Sequence, residues 1–241
     1  MSRIVLVTGG GSGLGKAVAI RFLAGGDKVF ITGRSASRLA SAAAATGAIA
    51  VTGDATDPAD VRRLADGLGD ELDVLVNMAG GNTDFTRPDG QSADLAEVAA
   101  AWRANLDANL LSAVLTTTAV LPKLRAGGSI INVGSIGAEY ASTSYSAAKA
   151  AVAAWTAGLS AEVGPRGLTA NVISPGYIAG TGFFGDRLTE QRRERLIGAT
   201  HDGRAGRPED IAETAYFLAS AGARHITGQI LHVNGGAHTT R

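Results

Sequence analysis

Ile4-Val-Leu-Val-Thr8 followed by Gly9-Gly-Gly-Ser12-Gly13-Leu14-Gly15 sets a wholly apolar run directly before a glycine-rich turn. Such a run is what a parallel strand buried on both faces needs. Lys16 to Ala24 then carries helical periodicity, so the order is strand, glycine turn, helix. In that context the glycines read as a phosphate cradle. They let the backbone come close to a pyrophosphate, and the first N–H groups of the helix point at it. The spacing is not G-x-G-x-x-G but T-G-x-x-x-G-x-G, carried by Thr8, Gly9, Gly13 and Gly15.

Outward from this turn the pattern repeats. Lys28–Thr32 reads as a second strand ending in Gly33-Arg34-Ser35, and Ala48–Asp54 as a third. An acid at the end of the second strand would suit the ribose 2′-hydroxyl of NAD. Arg34 stands there instead, and a guanidinium suits the 2′-phosphate of NADP, with Arg38 as a second cation. Asp54 ends the third strand, where it accepts from an adenine amino group or caps the helix beginning near Pro58. Leu72–Asn77 is the fourth strand, and the small residues of Met78-Ala79-Gly80-Gly81 after it leave room for a cofactor against the backbone.

Ser129–Val133, Leu168–Ile173 and Gly228–Val233 complete seven strands, with one or two helices over Leu95–Leu121 and another from Pro208 to about Ser220. Alternation at this spacing predicts a Rossmann-type α/β fold: a doubly wound, seven-stranded parallel sheet with helices on both faces. One domain spans 1–241. Its long insert, Tyr177–Arg207, is polar, Arg-rich and without a strand pattern, and sits where a substrate lid belongs.

Tyr145 and Lys149 lie four apart in an Ala-rich helical run, Ser144–Leu159, which puts them on one face about 5–6 Å apart at Cβ. An ammonium beside a phenol is expected to lower the phenol's pKa from its ordinary ~10. A phenol so tuned could serve as a general acid or base near neutral pH. Ser135, at the end of the fifth strand, can present a hydroxyl beside it. The site is then a proton-transfer centre in search of a redox partner.

Composition narrows the alternatives. Lys+Arg and Asp+Glu balance at 22 each, which argues against nucleic acid or an anionic membrane surface. Cysteine is absent, removing disulfides, thiolate catalysis and Cys-ligated zinc together. The four histidines show no metal-ligand spacing and receive no role. Met-Ser-Arg leads straight into the first strand, and the longest nearly uncharged helical run, Ala108–Leu121, is short of the ~20 residues of a membrane span. A cytoplasmic protein is the expectation. The small apolar faces Ala108–Leu121 and Ala147–Leu159 predict helix-on-helix association of copies.

Taken together, these motifs resemble the short-chain dehydrogenase/reductase family, in its single-domain, 3-oxoacyl-ACP-reductase-like branch. The likeness runs through Thr8–Gly15, Asn77-Met-Ala-Gly80, Trp102…Asn109…Pro122, Ser135, Tyr145-x-x-x-Lys149, Pro175-Gly176 and Gly228-Gln-Ile-Leu-His-Val-Asn-Gly-Gly236. It implies Asn109, Ser135, Tyr145 and Lys149 as catalytic. Tyr145 would be the acid in ketone reduction, and Lys149 would tune it and bind the nicotinamide ribose. Ser135 would hold the substrate oxygen, and Asn109 a relay water. NADP, in preference to NAD, would touch Gly9, Ser12, Gly13, Leu14, Gly15, Arg34, Asp54, Ala55, Asn77, Ala79, Gly80, Tyr145, Lys149, Pro175, Gly176 and Ile178. Thr181 would replace the family's Thr, whose place here is Gly180. The implied substrate is a small-molecule carbonyl or alcohol and the implied assembly a homotetramer or homodimer. The competing reading is a catalytically silent NADP(H)-sensing protein of the same fold.

Overall fold

The computed structural model describes residues 2–86, 94–140 and 143–240. The strands are β1 (Ile4–Val7), β2 (Lys28–Gly33), β3 (Ile49–Thr52), β4 (Leu72–Asn77), β5 (Leu124–Val133), β6 (Thr169–Pro175) and β7 (Ile230–Val233). They form one parallel seven-stranded sheet in the order β3-β2-β1-β4-β5-β6-β7. The order reverses beside β1, which places a crevice at the carboxyl ends of β1 and β4.

Alternation along each strand sends successive side chains to opposite faces. Val5, Val7, Val29, Ile31, Val74 and Val76 pack with α1 (Gly13–Ala24), α2 (Ala36–Thr46) and α8 (Pro208–Leu218). Leu6, Phe30, Leu75 and Ile130 face α3 (Pro58–Gly67), α5 (Ser112–Val120) and α6 (Ser144–Val163). Interior strand β6 is buried throughout, whereas edge strand β3 is largely exposed. Both faces of the sheet are thus covered, as the sequence pattern predicts. No helix among the described residues is long and apolar enough to cross a membrane.

The structure adds local detail to these expectations and corrects one of them. The insert holds no strand, as expected, but contains a helix that the sequence reading did not anticipate, α7 (Glu190–Gly198). None of α7's residues is buried, so the helix has no apolar stripe to betray it. The cap of α3 is Asp57, whose carboxylate accepts from Ala59 N at 2.8 Å, and not Asp54. The run predicted as one or two helices is α4 (Leu95–Leu106) joined to α5 through a π-turn at Asp107–Leu111. Within the bridge between Ser135 and Tyr145, Ala141 and Ser142 lie outside the described residues.

Candidate active site

The glycine turn after β1 is held open by sterics. A Cβ on Gly15 would lie 2.3 Å from the Gly9 carbonyl oxygen, so only glycine lets α1 start this close to the strand. Ser12, the residue before α1, makes no side-chain cap. The first N–H groups of α1 therefore lack the usual intramolecular acceptor and, with the positive end of the helix dipole, suit a phosphate. Thr8 ties this turn to the next strand end: its hydroxyl accepts from Met78 N at 3.0 Å and Ala79 N at 2.9 Å. On the side of Met78 and Ala79 these bonds use only main-chain N–H groups, which explains why Met is tolerated at position 78.

Arg34 and Arg38 are exposed at the start of α2, where Ser35 caps the helix by accepting from Arg38 N. Two cations at a helix N-terminus form a second anion-binding corner. Asp54 and Ala55 stand in the turn after β3, with Asp54 Oδ1 taken by the Thr56 N–H and hydroxyl. Pro175 closes β6 and Gly176 follows, its N–H donating to Val233 O. Thr181 reaches the same crevice, since a Cβ on Gly13 would sit 3.3 Å from Thr181 O. Two side chains named above are turned into the core instead. Asn77 spends its amide hydrogens on Thr117 Oγ1 and Asn132 Oδ1, linking β4 to α5 and β5. Ile178 is buried against the α8 layer. Any cofactor contact at these two is through main chain.

Asn109 occupies the π-turn, and its side chain explains the turn. Its Nδ2 donates to Asn105 O, the carbonyl four residues back that an α-helical N–H would use. The ladder slips, and Ser112 N reaches Asp107 O, five residues back. The rest of the Asn109 amide clamps Gly81, donating to its carbonyl and accepting from its N–H. Asn105, which sequence reasoning passed over, is fully buried in a network of its own. It donates to Asp84 Oδ1 and Ser144 Oγ and accepts from Thr83 N, pinning the first residue of α6.

Ser135, Tyr145 and Lys149 converge at the carboxyl end of β5. Ser135 starts a short 3-10 turn and its hydroxyl accepts from Gly137 N; Ser135 Oγ and the Tyr145 ring both face Gly137, 3.2 Å and 3.8 Å from where its Cβ would stand. Lys149 is buried, donates to Val133 O at 2.8 Å and holds its Nζ 5.9 Å from the Tyr145 ring centre. The electrostatics depart from expectation. Burial pushes the Tyr145 phenol up to about 12, against a lowering influence from the Ser135 hydroxyl. Burial also pulls the Lys149 ammonium down to about 8. The helical spacing brings the pair together as expected, but desolvation outweighs the attraction, because Lys149 aims at a carbonyl rather than at the phenol oxygen.

The chain has six Phe and four Tyr, and half of them gather over this site. Phe183 lies 5.7 Å from Tyr145 between ring centres, and Phe85, Phe184 and Tyr177 continue the stack.

Residues 9–238 match the family described as Enoyl-(Acyl carrier protein) reductase. The chain is 38% identical over 233 residues to a Mycobacterium tuberculosis (strain H37Rv) protein named only as an oxidoreductase, covering 97% of each. It is 34% identical over 247 residues to the 3-oxoacyl-[acyl-carrier-protein] reductase FabG of Vibrio cholerae, covering 98% of this chain and 97% of that one. Among solved structures it resembles a short chain dehydrogenase from Burkholderia cenocepacia J2315 in complex with NADP. That match has a TM-score of 0.82 and 32% identity, over 98% of this chain and 97% of that one.

Proposed function

The chain belongs to the short-chain dehydrogenase/reductase family of oxidoreductases, and from that premise we propose that it transfers a hydride between NADP(H) and a ketone or secondary alcohol. The observation that carries this reading is the convergence of Ser135 on Tyr145 and Lys149, the last two one turn apart on α6, at the sheet end that also bears the glycine cradle.

The residues present fit the cofactor. The uncapped start of α1 with Gly9, Gly13 and Gly15 would hold the pyrophosphate, and Arg34 with Arg38 the 2′-phosphate. Lys149 would hold the nicotinamide ribose. The cofactor, when bound, supplies or accepts the hydride. The protein's own part is proton and oxygen handling. Tyr145, with its pKa raised to about 12, keeps its proton through the physiological range and so has one to deliver to a carbonyl oxygen, as a weaker acid than a phenol near neutral pH would be. Ser135 steadies the same oxygen as negative charge develops on it. The aromatic stack on Tyr145 excludes water and favours a carbonyl flanked by an apolar or aryl group.

Cofactor choice is testable at one residue. Arg34→Asp is expected to cut the NADPH-to-NADH ratio of kcat/KM by roughly 10–100-fold, the worth of a charge-assisted hydrogen bond of ~1.5–3 kcal/mol. Steady-state rates with both cofactors measure it, and an unchanged ratio would remove Arg34 from the 2′-phosphate site.

The assembly is part of the same reading. Trp102 and Leu111 are 44% and 39% exposed on the α4–α5 run, beside half-buried alanines of α6. Those faces suit a homotetramer or homodimer. Light scattering at micromolar concentration is expected to give a multiple of 24.3 kDa, and a monomeric mass would refute it.

A further inference from the structure

We propose that His232, His238 and Glu139 form a binding site for a divalent transition-metal ion of the zinc type, one that fastens the tail after β7 to the wall beside Tyr145. Read along the chain, these residues show no metal-ligand spacing, because they come from three segments. His232 lies on edge strand β7, His238 on the tail, and Glu139 just after the short turn that Ser135 begins. The fold gathers one ligand atom from each so that all lie within 4.8 Å of one another. The rings of His232 and His238 are 5.0 Å apart, and His238 Nε2 stands 3.9 Å from Glu139 Oε2.

Two orphaned atoms point to a ligand. His232 Nδ1 and His238 Nε2 are both buried, and neither has a hydrogen-bond partner. A buried ring nitrogen left without a partner is costly, and a cation in reach of both would satisfy them together. Two imidazole nitrogens and one carboxylate oxygen suit zinc, cobalt, nickel or copper and not magnesium or calcium, which take oxygen sets. Bonds of ~2.0–2.2 Å require the three groups to draw in by about 1 Å. Glu139, at the surface on a flexible side chain, can supply most of that movement.

The surroundings are already shaped to hold the tail here. Tyr140 donates to Ala237 O at 3.0 Å and sets its ring edge-on to His238 at 5.7 Å. Asn234 Nδ2 donates to His238 O, curling the tail back on itself. Three protein ligands leave a further position for water. The inference does not depend on the redox reading, since none of the three residues handles the hydride or its proton.

The test uses the full, untagged chain stripped with a chelator and titrated with Co2+, whose visible d–d absorption reports nitrogen ligation. A saturable band with about one equivalent per chain, absent in His238→Gln and in Glu139→Gln, is expected. Zn2+ should displace the Co2+ and raise the melting temperature of the native chain only, while millimolar Mg2+ should leave the band intact. Glu139 is exposed, so Glu139→Gln keeps the fold whatever the histidine variant does, as circular dichroism without metal would verify. No band in the native chain, a band unchanged by both substitutions, or full displacement by Mg2+ would each overturn the proposal.

Discussion

Tyr145→Phe is expected to lower kcat for ketone reduction by roughly 10³-fold or more, within the ~10²–10⁴-fold range of a positioned general acid. The ring stays, so its packing against Phe183 and its place on α6 are kept. What goes is the proton that, in the proposed mechanism, Tyr145 gives to an oxygen steadied by Ser135. The variant should therefore fold, bind NADPH with nearly native affinity and fail in turnover. NADPH fluorescence titration and stopped-flow NADPH oxidation separate those quantities. Native turnover across a ketone panel that survives in Tyr145→Phe would sink the acid role. Tight NADPH binding with no turnover in the native chain would instead favour a cofactor sensor.

How far the chain could be read unaided depended on whether a feature was local. The strand–glycine–helix unit at Ile4–Ala24 was legible because each part acts over a few residues: a doubly buried strand, a turn no side chain fits, an amphipathic helix. The Tyr145–Lys149 face was legible for the same reason, through helical spacing. The sign of the phenol's pKa was not. It depends on how deeply Phe183 and the β5 end bury the pair, and on which acceptor Lys149 finds. Helix α7 escaped because it buries nothing, and so leaves no periodic apolar trace. The π-turn escaped because a single side-chain bond from Asn109 to Asn105 O makes it. Asn105, Asp84 and Ser144 form a buried network whose members lie 21 to 60 positions apart, and no spacing rule along one chain connects them.

Lys149 carries the second large effect, and it appears as a slope. Its folded pKa of about 8 lies below the ordinary 10.5, so between those values the unfolded chain holds a proton that the folded chain has lost. Stability must then rise with pH across that window, by roughly 2 kcal/mol from pH 8 to pH 10 on this group alone. Below pH 8 the penalty for burying the charge is present in full. Tyr145 acts with the opposite sign at higher pH: its folded pKa of about 12 exceeds the ordinary 10, so stability falls above pH 10 as the unfolded phenol ionises first. Lys149→Met removes the rising arm and keeps the falling one. It also strands the Val133 carbonyl, a pH-independent loss of about 1–3 kcal/mol, which is why the slope and not the absolute stability is the readout. Urea unfolding of both proteins at pH 7, 8, 9 and 10 measures it, and parallel curves would mean that Lys149 is not desolvated as its burial implies. In the native enzyme the same deprotonation removes the ammonium that would hold the cofactor ribose. Activity should therefore decline above pH 8 in the range where the fold grows more stable, because the buried charge that costs stability is the one that the proposed mechanism assigns to cofactor binding.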